Sequence, residues 1–172
     1  MIPVYSGNVC ASGKSCVAGS CVTILVNGDF ETGDTTGWQY FAGASCTSSI
    51  TVSTSQNIIT SAESGSYFAW TGCTSSYGAG LQQTVSLNVG QTYTVTGYYN
   101  AGVRSSVDPN GGYLFINGTT LTSVINTYYD ANWHQITATF MAFSPSATFG
   151  FSMYSTDQSN TYYPGWDNFV IV

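Results

Sequence analysis

The side chains able to do chemistry are few, and their types narrow the options at once. The single histidine, His134, follows Trp133 at the start of an alternating stretch. A His-based triad needs a nucleophile and an orienting acid brought to the ring, and no G-x-S-x-G or reactive-cysteine signature occurs. His134 is expected to be a surface or strand-edge residue. Glycoside hydrolysis needs two carboxyl groups flanking a bond. The eight acids, Asp29, Glu31, Asp34, Glu63, Asp108, Asp130, Asp157 and Asp167, show no spacing that singles out such a pair. The sequence predicts no catalytic residues and no enzyme.

Asp29 and Glu31 stand two apart. A strand over Thr23 to Glu31 would send both side chains from one face. Like charges so placed need a cation or a set of donors between them. Basic residues are almost absent, so a structural Ca²⁺ held by carboxylates and backbone carbonyls is the expected cofactor. The alternative is that both acids cap turns through backbone amides.

Five cysteines fall in two groups: Cys10, Cys16 and Cys21 in a Gly/Ser-spaced cluster, and Cys46 with Cys73 farther on. Zinc would call for nearby His or CxxC pairs, and neither is there. The preferred account joins Cys46 to Cys73, a loop worth about 3 kcal/mol in the chain-entropy model. Two of the first three then pair, and the third bonds another chain or a lost partner; the alternative is one free, buried cysteine. Oxidised cysteines imply a secreted protein, whose leader is expected to have been removed or to lie outside this sequence. The sequon Asn117-Gly118-Thr119, in a turn, makes Asn117 a glycosylation candidate.

The elements that must position these groups are all strands. Period-two alternation runs from residue 23 onward, punctuated by Gly, Asn, Ser and Asp, and no window supports an amphipathic helix. Strands are expected over 23–31, 66–71, 80–87, 91–101, 113–117, 120–125, 133–143, 147–154 and 166–172, with a β-rich but polar stretch over 49–60. Asn117-Gly118 closes one hairpin. The fold class is all-β, an antiparallel β-sandwich or jelly roll. Residues 1–22 differ in character and are read as a short cysteine-containing segment ahead of a domain over 23–172.

Composition limits the partners. Charged residues make up 6% of the chain against a usual share of about 25%. The 15% aromatic content argues against disorder. With Lys14 and Arg104 the only basic residues and a net charge of −6, no cluster exists for nucleic acid or an anionic membrane. No apolar run approaches the roughly 20 residues that span a bilayer. The surface must be made of Ser, Thr, Asn, Gln, Gly and Tyr, which suits sugars or other copies of the chain.

Five stretches, in order, resemble the carbohydrate-binding modules of the cellulase-associated family 4/9 (CenC-like) type, a calcium-carrying jelly roll. They are LVNGDFETGDTTGW from Leu25, Gly65-Ser66-Tyr67, LQQTVSLNVGQTYTVTGYY from Leu81, NWHQITATF from Asn132, and WDNFVIV from Trp166. In the last, Asn168 replaces the second acid of the family pattern. The likeness covers about residues 23–172. It implies that Asp167 joins Glu31 and Asp29 as calcium ligands, with carbonyls near Ser64 to Ser66, and that Trp38 and Trp133 are buried in the core.

The resemblance also assigns Tyr93, Val95, Gly97 and Tyr99 to the core, and alternation then sorts the aromatics. Tyr98, Tyr113, Phe115 and Tyr154 point outward and are expected to line one concave sheet, supported by Asn100, Gln82 and Trp70. Sugar C–H faces stack on rings while amides bond the hydroxyls, in sites that are largely preformed. The function this implies is non-catalytic binding of a neutral cell-wall polysaccharide outside the cell. The alternative is self-assembly into a filament, coat or matrix, favoured by low charge and an unpaired cysteine.

Overall fold

A computed structural model describes residues 14–17, 20–42, 50–56, 58–71, 79–102, 110–123, 130–155 and 163–172. Twelve strands occur among them: β1 (Lys14–Val17), β2 (Ser20–Thr23), β3 (Gln39–Ala42), β4 (Ile50–Ser53), β5 (Phe68–Thr71), β6 (Ala79–Ser86), β7 (Thr92–Asn100), β8 (Asn110–Ile116), β9 (Thr119–Ser123), β10 (His134–Met141), β11 (Ser146–Ser155) and β12 (Gly165–Ile171). Strands β1 and β2 form a sheet of their own. The rest make two five-stranded antiparallel sheets, β10-β7-β12-β5-β4 and β3-β6-β11-β8-β9, packed as a β-sandwich of the jelly-roll kind. No helix among the described residues is long and apolar enough to cross a membrane.

Alternation explains most of the core. Tyr93, Val95 and Tyr99 of β7 face Leu81 and Val85 of β6, Leu114 of β8, and Phe149, Phe151 and Met153 of β11, all buried. The last strand breaks strict period two. Trp166, Phe169 and Ile171 are all buried, a spacing that plain alternation cannot send to one face. A bulge resolves it: pairing with β7 shifts between Asp167 and Val170, and Asn168 takes φ 51°. Phe169 then enters the core over Gly97, where a Cβ would stand 2.4 Å from its ring. It stacks on Phe151 at 4.8 Å and on Trp166 at 5.6 Å.

The expected first strand over residues 23–31 is not one beyond Thr23. Residues 24–38 form a looped segment in which Asn27 and Phe30 have φ of 51° and 56°. The Asn27 side chain organises it, donating to the Asp34 and Thr36 carbonyls and accepting from the Thr32 N–H. Local side-chain bonds of this sort compete directly with ladder pairing. Gln83, buried although polar, clamps the segment to β6 through both the N–H and the carbonyl of Val26. Phe30 and Trp38 thereby enter the core, stacked at 5.8 Å.

Candidate functional site: the outer face of the second sheet

Each sheet has an outer face, and the two differ. Over the first sheet lies the segment from 58 to 67. Ile59, Phe68 and Trp133 meet above Gly165, where a Cβ would find all three within 3.2 Å. Phe68 and Trp133 pack edge to face at 5.5 Å, and the Trp133 indole N–H donates to the Ser61 carbonyl at 3.0 Å. Trp133 therefore belongs to a small outer cluster, in contrast to Trp38, which sits in the sandwich core.

Three of the expected sugar contacts lie on this first sheet. Tyr98 is half-buried, and its hydroxyl accepts from Gln135 at 3.1 Å. Trp70 is stacked under Tyr163 at 5.6 Å and donates to the Ser53 hydroxyl. Asn100 is buried and its amide is spent on the backbone, donating to Ala131 and accepting from Gly102. The expectation of one shared concave sheet is corrected here: Tyr98, Trp70 and Asn100 are separated by the core from Tyr113, Phe115, Tyr154 and Gln82.

Those four residues belong to the second sheet. Antiparallel register aligns its outward residues in rows. One row reads Gln39, Gln82, Gly150, Phe115; the next reads Phe41, Gly80, Ser152, Tyr113. Tyr154 is opposite Gly111 in the row beyond, and its side chain lies outside the described residues. In the second row aromatic rings stand on the flanking strands, and in both rows small residues occupy β11. The small residues have a purpose: a Cβ on Gly80 would be 2.4 Å from the Phe41 ring, and one on Gly150 would be 2.4 Å from Phe115. Phe41 and Phe115 lean inward and meet edge to face at 5.5 Å, with Tyr113 at 6.0 Å from Phe115.

This pavement continues into a recess of about 430 Å³ lined by Gly37, Trp38, Gln39, Gln82, Gln83, Thr84 and Thr148. The Gln82 amide donates to Gln39 at 3.4 Å. Ser152, between Gly80 and Tyr113 in the second row, is buried, and among the described residues its hydroxyl has no hydrogen-bond partner. The surface therefore sets uncharged rings beside amides and hydroxyls. Sequence reasoning missed Gln39, Phe41 and Ser152. Strand β3 is only four residues long, too short for alternation to reveal it.

The acids expected to bind calcium occupy the other side of the molecule. Asp29 and Glu31 do not share a strand face, because residues 24–38 are turns. Glu31 Oε1 accepts the N–H groups of Ser66 and Tyr67, both at 2.8 Å. Asp167, fully buried, accepts from Glu63 and Ser64 at one oxygen and from Asn168 at the other. Asp29 Oδ1 faces the Glu31 N–H at 3.4 Å. What converges on these carboxylates is amide N–H, whose positive ends satisfy an anion and oppose a cation. Calcium takes six to eight oxygens, and no group of three acid, His or Cys side chains gathers among the described residues. The donor set does not fit calcium. The loop 63–67 joins the two ends of the domain through carboxyl–amide bonds instead. A chelator is therefore expected to leave the unfolding midpoint unchanged, while Glu31→Ala lowers stability by about 1 kcal/mol. A calcium-dependent rise in the midpoint would restore the ion.

His134 is bound locally: its Nε2 is 2.7 Å from Asp130 Oδ1, the acid four residues earlier. Asp130 also accepts from the Asn132 N–H and side chain. Partial burial raises the Asp130 carboxyl, but bonds from His134 and Asn132 outweigh it and hold the pKa below the usual range. The arrangement braces the turn before β10.

Cys10, Cys46 and Cys73 lie outside the described residues. Cys16 and Cys21 are opposite one another in the β1–β2 register. Asn117 is exposed at the tip of the β8–β9 hairpin, with φ 49°, and Gly118 follows at φ 77°.

No protein-family model and no curated protein matches the sequence. Solved structures do match in fold. The module TmCBM61, in complex with β-1,4-galactotriose, is 18% identical with a TM-score of 0.59, covering 87% of this chain and 97% of that one. The CBM22-1 xylan-binding domain of Paenibacillus barcinonensis Xyn10C is 18% identical with a TM-score of 0.60, covering 94% and 96%. A cyclase from Fischerella sp. TAU is 22% identical with a TM-score of 0.58, covering 86% and 94%. At these identities the likeness is one of fold.

Proposed function

We propose that this chain is a non-catalytic, extracellular carbohydrate-binding module that holds a neutral cell-wall polysaccharide against the outer face of its second sheet. The observation that carries the reading is the pavement of Phe41, Phe115 and Tyr113 running into the Gln39–Gln82 recess. Rings supply apolar surface for sugar C–H faces, and amides with threonine hydroxyls supply donors and acceptors at the margin. Two structural neighbours with this fold are a galactotriose complex and a xylan-binding domain, which supports a glycan as partner. An affiliation with the family 4/9 modules rests on the sequence stretches from Leu25 to Val172.

A cyclase shares the fold, so fold alone does not decide against catalysis. The non-catalytic reading draws on the site: the pavement has no titratable pair, and His134 is committed to Asp130 on the other sheet.

Depletion from solution onto insoluble cellulose, xylan, β-glucan and β-1,4-galactan tests the proposal. We expect at least one to retain the protein, with little change between low and high salt, because no clustered charge takes part. Flat depletion across the panel removes the binding role. Concentration-dependent multimers together with flat depletion would favour the structural, self-assembling role.

A further inference from the structure

A second recess lies where the open edges of the two sheets meet. About 250 Å³ in volume, it is bordered by Ile116, Leu121, Met141 and Phe143, and also by Asn117 and Thr119 of the sequon. Phe143 is 82% exposed and Met141 46%, although the space beside them is largely apolar. Apolar surface of this kind, left open next to a polar hairpin tip, asks for a cover. The tip is free to carry one: a Cβ at Gly118 would meet nothing within 4 Å. The Asn117 side chain is already oriented, because its Oδ1 accepts the Thr148 N–H at 2.8 Å while its backbone N–H donates to the Thr148 carbonyl. The amide nitrogen sits on the opposite branch, away from that backbone.

We propose that Asn117 carries an N-linked glycan and that its first N-acetylglucosamine seats in this recess against Phe143. In the transfer, Asn117 Nδ2 bonds to C1 of the reducing-end sugar of a polyprenyl-diphosphate oligosaccharide. The C1–O bond to the diphosphate breaks, the diphosphate leaves with that electron pair, and one amide proton passes to solvent. The step consumes no lone pair on Oδ1, so the bond to Thr148 survives and continues to aim the sugar. A pyranose presents an apolar C–H face to Phe143 and Met141 and its hydroxyls to water, which matches a recess apolar within and open at the rim. Thr148, which also borders the first recess, meets Asn117 only through its backbone, and the other residues concerned are separate from the pavement, so this inference stands whether or not polysaccharide binds there.

The test is to express the full chain in a eukaryotic secretory host and map the peptide containing Asn117 by mass. We expect a glycan mass on that peptide, lost in Thr119→Val, which keeps the Asn117 contacts but destroys the sequon. An unmodified Asn117 in the secreted wild-type chain overturns the proposal. The seat is read separately by unfolding midpoints. The glycosylated chain should melt a few degrees above Thr119→Val, and Phe143→Ala should erase most of that difference without changing occupancy. An equal difference with and without Phe143, or a glycosylated chain that dimerises through Phe143, overturns the seat.

Discussion

Tyr113→Ala and Phe41→Ala are each expected to weaken retention on the bound polysaccharide about tenfold, or about 1.4 kcal/mol, while Tyr98→Ala leaves it within twofold of wild type. The contrast follows from sheet membership. Tyr113 and Phe41 share a row with Gly80 and Ser152 between them, so each truncation removes ring surface from one side of the same trough. Phe115 makes a poorer probe: only 7% exposed, it supports the pavement from within, and its loss would let Phe41 and Tyr113 collapse. Tyr98 is outward too, but on the first sheet, where its hydroxyl meets Gln135. Equilibrium depletion isotherms for the three variants, each checked for an unchanged unfolding midpoint, decide the matter. Loss on Tyr98→Ala with Tyr113→Ala unaffected would move the site to the opposite face.

That pair of outcomes also marks what a sequence can and cannot say here. Once the resemblance had put Tyr93, Val95 and Tyr99 in the core, alternation turned Tyr98 and Tyr113 outward, as they are, because neighbours along a strand leave opposite faces. It could not decide which outside, because strand order is set by long-range pairing: β7 lies beside β10 and β12, and β8 beside β9 and β11. The β8–β9 hairpin was legible because Asn117-Gly118 is a local signal for positive φ at two positions. The bulge at Asn168 left only an indirect trace, the spacing of Trp166, Phe169 and Ile171. Residues 24–31 looked like a strand since Ile24, Leu25, Val26 and Phe30 are apolar, yet Asn27 bonds held the backbone in turns. The acids there kept the role that turn chemistry allows, accepting N–H groups. Phe41 was invisible for another reason: its place in the trough depends on Gly80 being across from it, a pairing of residues about forty positions apart.

Asp167 gives the other large effect. Burial pushes its carboxyl up to about 7, against the bonds from Ser64, Asn168 and Glu63 N–H groups that favour the charge, and the nearby Glu63 carboxylate pushes the same way as burial. The folded-state value stands above the 3.8 of the exposed group. The folded protein therefore binds this proton more tightly than the unfolded chain, and the resulting stability is complete below about pH 4 and lost as pH rises through 7. The whole span is on the order of 4 kcal/mol, or roughly 10 °C in midpoint for a chain of this size. Asp34, held below the usual range by bonds from Thr36 and Thr32, acts only at lower pH, where its contribution fades on acidification. Asp167→Asn cannot titrate, and its amide nitrogen would face N–H donors, so the variant should be less stable at pH 5 by a wide margin. Between pH 5 and 8 wild type should converge on it. Midpoints of the two proteins measured across that range, taken as a difference at each pH, cancel every other titrating group. A difference that stays constant, or widens toward pH 8, would mean that the three amides outweigh burial and that Asp167 is charged throughout.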